Sequence, residues 1–303
     1  MQPAQPWSQQ IQKQPQESKI APPSTKVDGK VFEEILTKPQ PVSDMKTGID
    51  VLLYGDTNVG KTYCSMTFPE PIFVIDTEKR AEKSKKYHYP GKDIRIFDPV
   101  TIKDDYVDDE DAIDYAASID NITNFVVALN RKIQSGEITQ GTLVVDSLTD
   151  IWKWVQEWGK VRLAKKGKLD RELMSIKNQF DWGIMNGKNA RLMMLFKHVT
   201  RKGLNFVGTA RETNVPDYVQ ANQTAKLPTE KIRVQKDVPF VFSSILNLKL
   251  RRIKTPTGFN TKYLTDVVKL DTLDYNQPPI ENIDFEKIKG MLEKLAVDTK
   301  EKK

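Results

Sequence analysis

The chain has 303 residues, of which 38% are hydrophobic and 29% are charged. No apolar run approaches the roughly 20 residues that a membrane-spanning helix needs, which argues against a membrane partner. The single cysteine, Cys64, excludes an internal disulfide bond and fits a reducing, cytoplasmic location.

The net charge of +6 is distributed unevenly along the chain. Residues 1–150 hold 17 Lys and Arg against 24 Asp and Glu, whereas residues 151–303 hold 30 against 17. A basic second half predicts a polyanionic partner such as nucleic acid, although lysine-rich surfaces also occur on proteins that bind none.

Composition and pattern divide the chain into four parts. Residues 1–27 are rich in Gln, Pro, Ser and Lys, which predicts a disordered tail that would be available to a protein partner. We expect a linker or arm at 28–45, the main domain at 46–271, and a C-terminal extension at 272–303 with a short helix and a charged end.

The stretch Gly55–Thr62 fits the phosphate-binding loop pattern G-x-x-x-x-G-K-[ST] at every fixed position. The apolar run at 49–54 predicts a buried strand before the loop, and residues 62–68 predict a helix that Pro69 ends. Lys61 would reach the β- and γ-phosphates, and the Thr62 hydroxyl would be a Mg²⁺ ligand. The predicted ATP-binding residues are Gly55, Asp56, Thr57, Asn58, Val59, Gly60, Lys61, Thr62 and Tyr63.

The chain after this loop alternates strands with helices. Strands are predicted at 71–75, 93–97, 142–147 and 204–209, and helices at 116–134, 151–158 and 180–198. A basic loop is predicted at 159–171, a long polar loop at 213–237, a strand pair at 241–254 and 262–270, and a helix capped by Asp284. This order predicts an α/β fold with a mostly parallel sheet, helices on both faces and a C-terminal strand pair.

Two carboxylates are candidates to complete the nucleotide site. Asp146 ends the apolar strand at 142–147, where a carboxylate can join the Mg²⁺ shell beside the loop lysine. Glu78 lies just past the tip of the preceding strand and is our candidate to orient or deprotonate the attacking water. A surface acid within the charged run Glu78-Lys79-Arg80 is the alternative interpretation of Glu78.

Several stretches resemble a known family. Phe73–Glu78 and Leu143–Leu148 resemble the core of RecA-like recombinase ATPases, and Gln179–Gly183 with Phe206–Glu212 is similar to phage and viral RecA-like annealing ATPases. The resemblance covers about residues 46–270 and implies a RecA-like P-loop NTPase core. It implies Glu78 as the catalytic glutamate, Asp146 as the metal-shell aspartate and Thr209 as the γ-phosphate sensor.

The same resemblance implies loops that bind DNA after the strands that end near Asp146 and Thr209. The cations in those loops are Lys160, Arg162, Lys165, Lys166, Lys168, Arg171, Lys226, Lys231, Arg233 and Lys236. Six cations against one acid in residues 160–171 would neutralise several phosphates, and Tyr218 would stack on a base. Solvated loops that bind nothing are the alternative. The family also has cations that reach a neighbouring subunit's γ-phosphate, and these correspond to Lys249, Arg252 and Lys254.

The expected function is therefore that of a DNA-stimulated ATPase that binds single-stranded DNA and assembles with itself into a ring or filament. It would promote strand annealing or exchange in phage or viral DNA recombination, repair or replication, inside the host cell if viral. Two alternatives remain open at this point: a nucleic-acid motor such as a helicase or packaging ATPase, and an ATP-switched loader of other proteins.

Overall fold

The structure is a computed structural model that describes residues 47–103, 112–167, 181–213, 232–255, 258–270 and 278–301. The predicted tail at 1–27 and linker at 28–45 lie outside these ranges. Among the residues that are described, no helix has the length and apolar content that crossing a membrane requires.

Eight strands form one sheet in the order β3-β2-β4-β5-β1-β6-β7-β8. Strands β1 to β6 pair in parallel, whereas β7 pairs antiparallel with β6, and β8 antiparallel with β7. The strands are β1 Asp50–Gly55, β2 Ile72–Asp76, β3 Ile94–Phe97, β4 Thr142–Asp146, β5 Asn205–Arg211, β6 Ser244–Thr255, β7 Gly258–Leu270 and β8 Ile280–Glu281.

Seven α-helices are found in the described ranges. They are α1 Lys61–Ser65, α2 Ala81–His88, α3 Tyr115–Gln134, α4 Leu148–Ala164, α5 Trp182–Lys197, α6 Val238–Val241 and α7 Phe285–Glu301. Asp284 accepts a hydrogen bond from the backbone N–H of Lys287 at 2.9 Å, so it caps α7 as the sequence predicts.

Two hydrophobic clusters cover the two faces of the sheet. Along β1, Leu52 and Tyr54 belong to the cluster that holds the buried side chains of α3, α4 and α5. Val51 and Leu53 point to the other face and pack with residues of α1 and α7. A strand buried on both faces has no polar alternation, which is why these segments are continuously apolar. The predicted fold class, a P-loop NTPase core with a mostly parallel sheet, is confirmed.

Several details of the prediction are wrong. The C-terminal helix, which was predicted to be short, has 17 residues, because Ile288, Met291 and Leu292 pack it against the core. The basic loop predicted at 159–171 begins too early, because α4 continues to Ala164. Gly159 packs closely against Met185, and the Leu163 side chain is fully buried. This tertiary packing extends the helix past its tryptophan-rich part. Strand β8 was not predicted, because two residues are too few to give a periodic signal.

Candidate nucleotide site

The phosphate-binding loop joins the end of β1 to the start of α1. Gly55 ends β1 with a φ of 148°, and a Cβ atom there would lie 2.1 Å from the carbonyl oxygen of Leu248 on the neighbouring strand. Gly60 has a φ of 94°, in the left-handed region where a side chain is strained. Both pattern glycines are therefore required by the backbone path, independently of any bound phosphate.

The Lys61 side chain folds back over this loop. Its Nζ donates hydrogen bonds to the carbonyl oxygens of Gly55 at 3.0 Å and Asp56 at 2.7 Å. Burial lowers the pKa of Lys61, although the nearby carboxylates of Asp146 and Glu78 act in the opposite direction. The ammonium group is thus held at the phosphate-binding loop, where it is positioned to bind an anion.

Asp146 lies at the centre of the site, at the carboxyl end of β4. Its Oδ2 accepts a hydrogen bond from the Thr62 hydroxyl at 2.6 Å, and its Oδ1 accepts one from the Thr209 hydroxyl at 2.5 Å. Burial raises the pKa of Asp146, while these two hydroxyl groups stabilise its charged form. The strand order brings the three residues together, because β4 pairs with β5 and β5 pairs with β1.

Thr62 and Asp146 fit a magnesium ion. Mg²⁺ prefers oxygen ligands and retains several waters, so it is usually bound by one or two protein groups together with substrate phosphates. A hydroxyl and a carboxylate oxygen only 2.6 Å apart, beside the phosphate-binding loop, form a donor set of this kind.

Glu78 lies at the same edge of the sheet, two residues beyond β2. Its backbone N–H donates to Asp76 Oδ1 at 3.1 Å, and Asp76 Oδ2 accepts from the N–H of Ala81 at 2.8 Å. The buried Asp76 thus fixes the turn that carries Glu78. The Glu78 side chain is only 14% exposed, so it is not the solvated surface acid of the alternative interpretation.

Arg211, at the end of β5, holds the Glu78 carboxylate. Its Nη2 and Nε donate to Glu78 Oε1 at 2.8 and 3.1 Å, and its Nη2 also contacts Asp150 Oδ2 at 3.3 Å. Thr77 and Ser147 complete this network, since each hydroxyl lies 3.0 Å from Asp150 Oδ2. The sequence analysis did not identify these partners. The one signal for Arg211 is its place two residues beyond Thr209, at the tip of the next strand.

A cavity of about 930 Å³ opens over the loop. Of the predicted nucleotide-binding residues, Asn58 to Tyr63 line it, as do Glu78 and Asp146. Gly55, Asp56 and Thr57 do not line the cavity. Small-molecule sites usually measure about 300–1,000 Å³, so this cavity has room for a nucleotide.

A protein-family model described as an AAA domain matches residues 47–273. The chain belongs to this family. It therefore carries a P-loop AAA-type ATPase domain, and the predictions of nucleotide binding and ATPase activity are supported at that level. A comparison with curated proteins found no match.

The predicted DNA-binding cations fall into two groups around the AAA domain. Lys160, Arg162, Lys165 and Lys166 lie at and just beyond the C-terminal end of α4. Lys160 pairs with Glu157 at 2.7 Å, and the Arg162 guanidinium lies 5.5 Å from the centre of the Trp158 ring. Lys165 and Lys166 are exposed.

The second group follows β5. Arg233 and Lys236 are exposed, and the backbone N–H of Arg233 donates to the carbonyl oxygen of Arg211 at 2.8 Å. Glu212 and Ile232 form an antiparallel bridge. The segment between them therefore starts and ends beside Arg211. The remaining predicted DNA-binding residues, Lys168, Arg171, Tyr218, Lys226 and Lys231, lie outside the described residues.

The predicted trans-acting cations lie on a two-stranded ribbon of the AAA domain. Beyond Leu248, the last β6 residue that pairs with β1, strands β6 and β7 continue together to Thr255 and Gly258. Arg252 and Lys254 are exposed and lie on the same face of β6, since they are two residues apart. Lys249 pairs with Asp266 across the ribbon at 2.6 Å.

Proposed function

We propose that this AAA-type ATPase is a RecA-like protein that binds single-stranded DNA in an ATP-dependent way and promotes strand annealing or exchange. The setting would be phage or viral recombination, repair or replication, and the protein would act as a homo-oligomer. The proposal extends the family's ATPase chemistry by the resemblance of the stretches around Glu78, Asp146 and Thr209.

One observation supports this proposal more than any other. Arg211 holds Glu78, the candidate catalytic group, and it directly precedes the segment that the resemblance implies for DNA binding. Both ends of that segment meet at the Glu212–Ile232 bridge, and Arg233 is hydrogen-bonded to Arg211. A ligand that binds this segment would act through these two ends on the residue that holds Glu78. DNA binding would in this way be coupled to ATP hydrolysis.

The site residues have separable roles in this proposal. Lys61 and the loop N–H groups bind the β- and γ-phosphates, and Thr209 reports on the γ-phosphate through its hydrogen bond to Asp146. Magnesium bound by Thr62 and Asp146 would stabilise the negative charge that develops on the phosphate oxygens. Glu78 orients the attacking water and accepts its proton, with the carboxylate held by Arg211.

The ribbon supports action between subunits. Lys254 is six residues beyond Leu248 along an extended strand, which places it about 20 Å beyond the end of the β1–β6 pairing. A cation that projects this far from its own phosphate-binding loop is suited to reach a neighbour's γ-phosphate, where it would stabilise transition-state charge. Assembly would then be required for full activity.

The first test is ATP hydrolysis with and without single-stranded DNA for the wild type, Lys61→Ala and Glu78→Gln. We expect DNA to stimulate hydrolysis in the wild type and both substitutions to abolish it, since one removes phosphate binding and the other the proton acceptor. Hydrolysis that ignores DNA at low salt would contradict the proposal. DNA-dependent directional unwinding would indicate a motor instead. A loader would be indicated by two results together: hydrolysis that stays very slow with DNA present, and a protein partner that no longer binds when residues 1–27 are deleted.

The second test is the salt dependence of single-stranded DNA binding. We expect the double variant of Arg233→Ala and Lys236→Ala to reduce the slope of log K against log salt by about 1.4, because each lost phosphate contact on a single strand contributes about 0.7. Lys153→Ala is the control, since Lys153 is an exposed lysine in the middle of α4. An unchanged slope in the double variant would exclude the second group of cations from the DNA site.

A further inference from the structure

The C-terminal extension forms one wall of the nucleotide cavity. Residues 278–301 lie beyond the part of the chain that the AAA domain model matches, which ends at residue 273. Nevertheless, residues 282–287 line the same cavity as Lys61, Thr62 and Tyr63. The phosphate-binding motif does not explain why this segment lies there.

The segment is anchored on the phosphate-binding helix. Ile283 and Ile288 are buried in the cluster that contains Cys64 and Phe68. The Phe285 ring lies 4.9 Å from the Phe68 ring, and the Phe285 N–H donates to the Thr67 hydroxyl at 2.8 Å. These contacts fix the segment against the end of α1.

The turn that faces the cavity is preorganised. The Asn282 N–H donates to the carbonyl oxygen of Tyr263 at 3.0 Å, and Lys287 Nζ donates to the carbonyl oxygens of Glu281 and Asn282 at 2.9 and 2.8 Å. Asn282 has a φ of 49°. Ile283 is buried, while the exposed Asn282 carries an amide that can both donate and accept hydrogen bonds at the cavity.

Aromatic side chains line the same part of the cavity. The Tyr263 ring is the nearest group to the position that a Cβ on Gly60 would take, at 3.8 Å, and its side chain is 43% exposed. The Tyr63 ring also lines the cavity, and it lies 5.3 Å from the His88 ring and 5.2 Å from the Tyr89 ring. Exposed aromatic rings beside a phosphate site offer flat surfaces on which a base can stack.

The γ-phosphate and the nucleoside of a bound nucleoside triphosphate lie in different parts of the cavity. With the γ-phosphate near Glu78 and Asp146, the cavity continues past Lys61 to Tyr263 and Asn282, which leaves room there for the nucleoside. We propose that Asn282 and Tyr263 bind the nucleoside of the triphosphate, which makes the C-terminal extension a specificity-determining wall of the nucleotide site. This inference rests on the nucleotide binding described above and extends it to the base and ribose.

The test compares binding of Mg·ATP and Mg·tripolyphosphate to the full-length protein by calorimetry. We expect Asn282→Gly and Tyr263→Ala each to weaken ATP binding by about tenfold while leaving tripolyphosphate binding within about twofold of the wild type. Glycine tolerates the positive φ at 282, so the first substitution removes the amide without straining the backbone. Lys289→Ala and Tyr87→Ala are matched controls, since both residues are exposed and neither lines the cavity.

Hydrogen exchange of the wild type gives a readout that requires no variant. ATP is expected to protect the backbone amides of residues 282–287, and tripolyphosphate is not. Unchanged ATP affinity in both variants, an equal loss for both ligands, or the same protection by both ligands would overturn the inference. A wild type that binds neither ligand would overturn the nucleotide site itself, and this inference with it.

Discussion

The contact between Arg211 and Glu78 gives the sharpest prediction, because it joins two residues that are 133 positions apart at the candidate catalytic group. Arg211→Ala removes both hydrogen bonds to Glu78 and the contact with Asp150. Two carboxylates with exposed side-chain fractions of 14% and 16% then lose their shared cation. The Glu78 carboxylate then retains only the looser contact with Arg80, whose Nε lies 3.7 Å from Glu78 Oε2 and whose side chain is 57% exposed, so it is held less firmly.

The magnitude follows from burial. Hydrogen bonds to charged groups contribute about 1.5–3 kcal/mol. The Arg211 side chain is 39% exposed, and solvent screening reduces this value. We therefore expect the free energy of unfolding to fall by about 1–2 kcal/mol, which lowers the melting temperature by about 2–8 °C. Misorientation of the carboxylate should reduce kcat by about 10–100-fold, with a much smaller effect on the KM for ATP.

The assay is steady-state ATP hydrolysis with and without DNA, together with thermal unfolding. Arg211→Lys retains the charge but not the planar fork, so its kcat should lie between those of the wild type and Arg211→Ala. Arg95→Ala is the matched control, because the Nε and Nη2 of Arg95 also donate to a single carboxylate, that of Asp93, but on the exposed surface. An exposed pair contributes about 0–1 kcal/mol, and we expect no change in kcat.

A kcat that is unchanged or higher in Arg211→Ala would refute the positioning role. A higher value would mean that the ion pair restrains Glu78 rather than orienting it. If Arg211→Ala and Arg95→Ala lower the melting temperature by the same amount, partial burial does not strengthen the Arg211 contact, and the expected magnitude is refuted.

Two further predictions concern the packing around the site. Gly208→Ala should lower the free energy of unfolding by about 1–3 kcal/mol in a denaturant titration, because the new methyl group would lie 2.5 Å from a Leu148 carbon and 2.8 Å from a Phe242 carbon; a variant as stable as the wild type would contradict this. Burial raises the pKa of the Cys64 thiol from 9.0 to about 12. The folded protein should therefore resist alkylation at pH 8, whereas the unfolded protein should react, and mass spectrometry would detect the added group. Between these two pKa values the unfolded chain loses the thiol proton first, so this group makes stability fall as the pH rises from about 9 to about 12, an effect that Cys64→Ala should remove.

The nucleotide site could be predicted from the sequence to the extent that it is local. The spacing of Gly55, Gly60, Lys61 and Thr62 encodes the loop, and the backbone path of that loop requires both glycines. Asp146 could be predicted because parallel strands end at one edge of the sheet, so the carboxylate that ends β4 must lie near the loop that follows β1. Its contact with Thr62 agrees with this reasoning.

The tertiary structure alone decided the partners of these groups. Glu78 follows β2 and Arg211 ends β5, and the two residues meet because β2 and β5 are the two neighbours of β4 in the sheet. Such a strand order is not encoded in any short segment. The extension of α4 to Ala164 depends on the packing of Gly159 against Met185. The cavity wall at 282–287 depends on Ile283 and Ile288, which pack into the hydrophobic cluster that contains Cys64 of the phosphate-binding helix. Local spacing thus determined which residues carry the phosphate chemistry. Long-range packing determined what holds Glu78 and what encloses the rest of the ligand, because those contacts join residues that are distant in the chain and exist only once the sheet has formed.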